Sequence, residues 1–132
     1  METPKDIMNL AADNIRILSA AMVEKAHSGH PGGAMGGADF INVLFSEFMI
    51  YDPSDPQWKC RDRFFLDPGH MSPMLYSQLA LCGKYTLDEL KSFRQWGSIT
   101  PGHPERDVER GIENTSGPLG QGHTYAVGAA IA

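Results

Sequence analysis

The chain has 132 residues, of which 42% are hydrophobic and 20% are charged, so it is long enough for one domain with a modest core. Its net charge is −5, from 11 basic and 16 acidic residues without a basic cluster, which excludes nucleic acid as an expected partner. The charged N-terminus lacks the apolar core of a signal peptide, and no apolar run reaches membrane-spanning length, so we expect a cytoplasmic protein without membrane association.

The N-terminal segment is predicted to be a long amphipathic helix. Thr3-Pro4 followed by Asp6 is typical of a helix start, because it combines an N-cap residue, a first-turn proline and an acidic side chain. Apolar residues then recur at helical spacing. Gly29 is predicted to stop the helix, and His27 suits a capping role because an imidazolium is favourable at a helix C-terminus.

The middle of the chain is predicted to contain one helix and one strand. The helix runs from about Gly36 to Phe48. Its predicted buried face consists of Phe40, Leu44, Phe45 and Phe48. The short apolar run Arg63–Asp67 is predicted to be a buried parallel strand, with His70 just past its carboxyl end, where open α/β sheets place ligands.

The second half is predicted to contain three helices and one long loop. Helices are expected over Ser72–Leu81 and, after a capping-box sequence, over Leu87–Trp96. The glycine- and proline-rich stretch Gly97–Leu119 is expected to be a functional loop, because irregular segments of that length are uncommon inside compact domains. A small-residue helix begins at about Gln121. A single strand cannot pair the hydrogen-bonding groups of its own backbone. We therefore expect this chain to be the front part of a longer α/β protein.

Several residues are expected to have structural roles rather than catalytic or ligand-binding ones. Cys60 and Cys82 lack metal or redox spacing and are expected to be free thiols, while Trp58 and Trp96 are expected to pack inside the protein. Methionines are flexible core-filling residues. The methionines expected in the core are Met35, Met71 and Met74.

Histidine, in contrast, recurs in a pattern that indicates a binding site. Four of the five histidines directly follow a glycine. Glycine lets the chain turn tightly and approach a ligand closely, and imidazole can donate, accept or carry a charge near neutral pH. The repetition therefore predicts a small-molecule site built from several loops. The four pairs are Gly29-His30, Gly69-His70, Gly102-His103 and Gly122-His123.

Four glycine-containing motifs in this order carry a family resemblance. They are Ser28-Gly29-His30-Pro31-Gly32-Gly33, Gly69-His70, Gly102-His103-Pro104-Glu105 and Gly117-Pro118-Leu119-Gly120-Gln121-Gly122. Together they resemble the N-terminal thiamine-diphosphate-binding domain of transketolase, from about Asn9 to Ala132. The resemblance implies an α/β fold, with residues 1–132 as the front part of a doubly wound parallel-sheet domain that is incomplete at its C-terminal end. This stretch is expected to be mostly helical with one strand.

The resemblance also implies an activity. Transketolases are transferases of the pentose phosphate pathway that move a two-carbon ketol unit from a ketose phosphate to an aldose phosphate through thiamine diphosphate. The resemblance implies a cytoplasmic homodimer with sugar-phosphate substrates and with Mg²⁺ or Ca²⁺ beside the cofactor. The metal ligands and the glutamate that activates the cofactor lie outside these 132 residues in the family, so no metal ligand is assigned here. The chain alone is expected to be inactive.

Individual roles are also carried over from the resemblance. His30 and His103 match the histidines that reach the first hydroxyl and the carbonyl of the donor sugar. His70 matches the histidine that hydrogen-bonds the diphosphate. The positions that lie against the thiamine rings are Gly117, Pro118 and Leu119. His123 falls outside the matched positions, and a structural role is expected for it.

Alternative functions remain open from the sequence. Dihydroxyacetone synthase and deoxyxylulose-phosphate synthase are related thiamine enzymes, although the residues after His103 and the segment Gly117–Gly122 argue against the second. A non-catalytic histidine-rich metal-binding module is a further alternative, but its histidines would lack any local ligand spacing. The last alternative is an interaction domain that dimerises through its apolar helices.

Overall fold

A computed structural model describes residues 3–132, and within them helices are the only regular elements. One antiparallel bridge, between Asp107 and Ile112, is the only β-type pairing there. The α-helices are α1 (Pro4–Ala26), α2 (Pro31–Gly36), α3 (Ala38–Val43), α4 (Ser72–Leu81), α5 (Leu87–Lys91) and α6 (Gln121–Ile131). Within residues 3–132 no helix is long and apolar enough to cross a membrane.

Helix α1 confirms the predicted N-terminal helix and its start signal. The side chain of Thr3 accepts a hydrogen bond from the Asp6 N–H, and the Asp6 carboxylate accepts one from the Thr3 N–H at 2.9 Å. The helix ends at Ala26, and His27 is its C-cap residue with φ of 48°. The apolar stripe of α1 packs against α2, α3, α4 and α5, so this helix forms one side of the core.

The predicted helix over residues 36–48 is wrong in its bounds. The chain becomes helical at Pro31, breaks at Gly37 and ends in a π-helical turn over Leu44–Phe48. A Cβ at Gly37 would lie 2.5 Å from the Met74 sulfur, so a side chain at this break would displace the end of the Met74 side chain on α4.

The buried face predicted for this region is also partly wrong. Phe40 and Phe48 are 63% and 70% exposed, and Leu44 is half-buried. Small residues of α2 and α3 face the core because they let these two helices approach α1 closely. The inward side chains follow one helical stripe, Ala34, Ala38, Ile41 and Phe45.

The predicted strand over Arg63–Asp67 is not confirmed. Its residues form no ladder within the described chain, although Leu66 is buried as expected. The Leu66 N–H donates to the side-chain oxygen of Asn114 at 3.0 Å, and the Asn114 amide donates back to the Leu66 carbonyl at 3.3 Å. A buried side-chain amide therefore takes the place of a neighbouring strand.

Helix α4 confirms the prediction for residues 72–81 and is almost wholly buried. The capping box at Thr86 and Glu89 is also confirmed, but α5 stops at Lys91 rather than continuing to Trp96. Trp96 is fully exposed, so its predicted packing role is wrong. Met74 lies in the core, Met71 is half-buried against it, and Met35 is exposed, contrary to expectation.

The C-terminal third is irregular until α6, as predicted. The long loop contains one 3₁₀ turn, Val108–Arg110. Helix α6 begins at Gln121 and is exposed along most of its length. Cys60 and Cys82 are free, as expected.

Candidate functional site

Three of the glycine–histidine pairs lie in turns next to helix starts or in the long loop. His30 is the N-cap residue of α2, in an extended conformation that places it just outside the helix. His70 lies in a 3₁₀ turn, Gly69–Met71, that leads directly into α4. His103 belongs to the loop after α5. None of these imidazoles is buried in the core, so each is available to a ligand.

These three histidines converge in space although they are far apart in sequence. The rings of His30 and His70 have centroids 4.7 Å apart and planes inclined by 46°. The ring of His103 lies against Gly69, since a Cβ built there would lie 2.9 Å from its Cδ2 atom. The same Cβ would lie 3.1 Å from the backbone nitrogen of Gly117. Four predicted site residues are thus brought to one place.

The segments that form this site pack closely against Gly69. Its missing side chain lets the Gly117 segment and the His103 ring contact the backbone just before His70. A Cβ at this position would also lie 2.6 Å from the Cβ of Ser116, which cannot move like the end of a long side chain.

We therefore expect Gly69→Ala to lower the free energy of unfolding by about 1–3 kcal/mol through overpacking. Chemical denaturation measures the effect. Gly36→Ala is the matched control, because a Cβ there meets no atom within 4 Å. Equal stability of the two variants would contradict the packing argument.

The segment Gly117–Leu119 forms an open edge beside the imidazoles. A Cβ at Gly117 would meet nothing within 4 Å, and Leu119 is 73% exposed. Gly120 adopts a left-handed conformation, with φ of 86°, and donates its N–H to the Asp67 carboxylate at 3.3 Å. The segment therefore presents backbone and an apolar side chain to open space next to the histidines.

His123 occupies a different environment from the other three paired histidines. Its Nδ1 lies 2.6 Å from an oxygen of Asp67, and the two side chains form an ion pair when the imidazole is protonated. The Asp67 side chain is only 7% exposed, whereas His123 is largely exposed. A Cβ at Gly122 would lie 2.7 Å from the Leu66 carbonyl oxygen, so α6 starts in close contact with this loop. These contacts agree with the structural role expected for His123.

Arg94 is a site-lining residue that the sequence reasoning missed. Its Nη1 donates to the Ser28 hydroxyl at 2.8 Å, and its guanidinium lies against Gly102. Together with Ser28 and His103 it lines an open cavity of about 450 Å³. Arg94 belongs to no sequence motif, and the prediction placed it inside a helix over residues 87–96, so its role was missed.

The charged groups that shift the pKa of His103 are positive or potentially positive. Partial burial of the ring lowers the pKa of His103, and the neighbouring Arg94 cation lowers it further, followed by His70 and His30. A lowered pKa favours the neutral imidazole, which can both donate and accept a hydrogen bond. Among residues 3–132, no group of three His, Cys, Asp or Glu side chains is placed to hold a metal ion.

Comparisons with known proteins give one answer. The family model described as transketolase, thiamine diphosphate binding domain, matches residues 7–132. The transketolase of Halalkalibacterium halodurans is 53% identical over 129 residues, which are 97% of this chain and 19% of that protein. Transketolase 2 of Escherichia coli is 55% identical over 122 residues, covering 92% of this chain and 18% of that protein.

Solved structures agree with the sequence matches. A transketolase from Leishmania mexicana superposes with a TM-score of 0.89 at 50% identity, covering 94% of this chain and 19% of that one. A Pichia stipitis transketolase, determined in complex with sedoheptulose 7-phosphate, superposes with a TM-score of 0.86 at 43% identity, covering 95% and 18%. The fold is thus of the α/β thiamine-diphosphate-binding class. The chain spans about a fifth of these proteins, and the alternative functions are not favoured.

Proposed function

The chain belongs to the transketolase family through its thiamine-diphosphate-binding domain, and from this premise we propose that it forms one wall of a cofactor site. The enzyme would transfer a two-carbon ketol unit from a ketose phosphate to an aldose phosphate. The observation that supports this proposal most directly is the convergence of His30, His70 and His103 around Gly69. Residues 1–132 would be the front part of a doubly wound parallel-sheet domain.

The residues present suit thiamine diphosphate. The open space at Gly117 and the exposed Leu119 side chain provide a surface for the flat rings, with Pro118 between them. His70, beside a second imidazole, would hydrogen-bond the diphosphate. When bound, thiamine diphosphate supplies the nucleophilic carbon and the electron sink for making and breaking carbon–carbon bonds. The protein contributes binding, orientation and electrostatics.

His30 and His103 would act on the donor sugar. Each lies on a turn or loop close to the other imidazoles, so both can face one bound molecule. Their ring nitrogens would bind the first hydroxyl and the carbonyl oxygen and stabilise charge that develops there. The lowered pKa of His103 favours its neutral imidazole, which can accept a proton from a hydroxyl or donate one.

The complete enzyme would be a cytoplasmic homodimer of the pentose phosphate pathway. Mg²⁺ or Ca²⁺ would accompany the diphosphate, and its protein ligands would be supplied from outside residues 1–132. The basis for this part of the proposal is the length of the relatives, of which the chain spans 19% or less in the matches above.

The proposal is tested in the full-length protein that carries this chain. With thiamine diphosphate and Mg²⁺ it should transfer a two-carbon unit from a ketose phosphate to an aldose phosphate. His70→Ala should weaken thiamine diphosphate binding about tenfold, because it removes a hydrogen bond to a charged group. Isothermal titration calorimetry measures the affinity.

His27→Asn is the control, since His27 is an exposed C-cap residue and asparagine tolerates its left-handed conformation. Its cofactor affinity should match the wild type. Absence of cofactor binding by the wild-type protein, or an unchanged affinity in His70→Ala, would contradict the proposed site.

A further inference from the structure

Arg94 connects two of the segments that carry the site histidines. Its side chain reaches Ser28, 66 residues earlier in the chain, and donates to the hydroxyl at 2.8 Å. Ser28 lies two residues before His30. On its other side the guanidinium lies over Gly102, directly before His103. One side chain therefore joins the turn of His30 to the loop of His103.

The contact with Gly102 depends on the absence of a side chain. A Cβ at that position would lie 2.5 Å from Nε, 2.9 Å from Cζ and 3.0 Å from Nη2 of Arg94. These three atoms span much of the guanidinium, so the group packs closely against Gly102. Nε is buried and has no hydrogen-bond partner within residues 3–132, so this position is held by packing rather than by a bond at Nε.

The backbone of Arg94 is held in an unusual conformation. Its φ of 60° lies in the left-handed region, which residues other than glycine rarely adopt. The Arg94 N–H donates to the Thr100 carbonyl at 3.0 Å, and Thr100 is fully buried, which closes the loop and holds this conformation. Strain of this kind persists only when the surroundings impose it, and it concentrates at functional sites.

The charge of Arg94 also faces the site. The ionisable groups that act on His103 are this guanidinium and the imidazoles of His70 and His30. Arg94 is the only permanent cation among them, since the two imidazoles can be neutral.

We propose that Arg94 is a positioning residue for His103: its guanidinium holds the His103 loop against the turn of His30 and places a permanent positive charge in the same cavity wall as this imidazole. The inference uses the proposed function only in giving His103 a role in catalysis. Its structural part concerns contacts and charge within this chain.

Replacement of the cation tests the electrostatic part. In Arg94→Gln the imidazole of His103 should titrate at higher pH than in the wild type, because a neighbouring positive charge no longer opposes protonation. In Arg94→Lys the titration should return toward the wild-type curve. Arg106→Gln removes an equal charge from an exposed position and should leave the curve unchanged. Hydrogen–deuterium exchange at the imidazole carbon, followed by mass spectrometry, reports each histidine separately and needs no turnover.

Identical His103 titrations in the wild type and in Arg94→Gln would overturn the inference. So would an equal shift in Arg106→Gln. If the titration moves as expected while the protein transfers no ketol unit, the inference about Arg94 stands and the proposed function fails.

Gly102→Ala tests the geometric part with the cation retained. The added methyl group displaces the guanidinium, so kcat/KM should fall several-fold while Gly36→Ala, with no atom within 4 Å of its new methyl, stays at the wild-type value. This variant also provides a test if Arg94→Gln does not fold. A kcat/KM for Gly102→Ala equal to that of Gly36→Ala would overturn the positioning role.

Discussion

Replacing His103 with alanine in the full-length protein lowers kcat/KM by about 10²- to 10⁴-fold, the range expected for loss of a positioned acid–base group. His103 is exposed and its ring lies against Gly69, so the substitution should leave the fold intact. Steady-state kinetics with a ketose phosphate and an aldose phosphate measure the loss. Thermal unfolding should show a midpoint close to that of the wild type.

A second histidine variant shows whether the loss of kcat/KM is specific to His103 or follows from replacing any histidine. His27→Asn changes an exposed histidine outside the site and should keep kcat/KM within about threefold of the wild type, since surface changes away from a site act weakly. A loss of less than threefold in His103→Ala would remove His103 from the catalytic residues. If the loss of kcat/KM in His103→Ala were accompanied by a lower unfolding temperature, the role of His103 would be structural.

The local signals in the sequence were sufficient for the starts of α1, α4, α5 and α6, but they missed the start of α2 at Pro31. Thr86 forms the predicted capping box with Glu89, and Thr3, which was predicted as an N-cap residue, forms one with Asp6. Such boxes depend only on neighbouring residues, so a single sequence contains all the information they need. The ends of the helices were less accurate: α5 stops at Lys91, and three residues later the chain turns at Arg94, whose N–H donates to the Thr100 carbonyl.

The errors inside the fold have a common cause in tertiary packing. The aromatic side chains of Phe40 and Phe48 satisfy a helical pattern, yet the core selected the stripe with Ala34 and Ala38, where the helices approach closely. An apolar run such as Arg63–Asp67 suits a strand, but whether it pairs depends on which groups lie beside it in space. The position of Arg94 likewise depends on contacts 66 residues apart.

The candidate site was more predictable than the fold around it. The glycine–histidine motifs identified His30, His70 and His103 as members of one site, and the structure brings them together with Gly117. Their catalytic and cofactor-binding roles stay predictions. The pattern did not reveal what holds the turns together, because Arg94 belongs to no motif and its partners are a hydroxyl and a glycine backbone.

Asn114 supports the loop that leads to His70 and has the largest expected effect on stability. Its side chain is 5% exposed, accepts from the Leu66 N–H and donates to the Leu66 carbonyl and to the Ser116 hydroxyl. Asn114→Leu leaves these buried backbone groups with fewer partners, and each unsatisfied group costs about 1–3 kcal/mol. We expect the free energy of unfolding to fall by about 2–4 kcal/mol in chemical denaturation.

Two further variants separate hydrogen bonding from a change of side-chain shape. Asn114→Asp keeps an acceptor for the Leu66 N–H but loses the amide donor, so its stability should lie between those of the wild type and Asn114→Leu. Asn14→Leu is the control, because Asn14 is exposed on α1 and bonds only to the Leu10 carbonyl in its own helix, and it should change stability by less than about 0.5 kcal/mol. Equal losses of unfolding free energy in Asn114→Leu and Asn14→Leu would show that the Asn114 amide does not stabilise the Leu66 backbone as a neighbouring strand would. The loop before His70 would then be held by its apolar contacts alone.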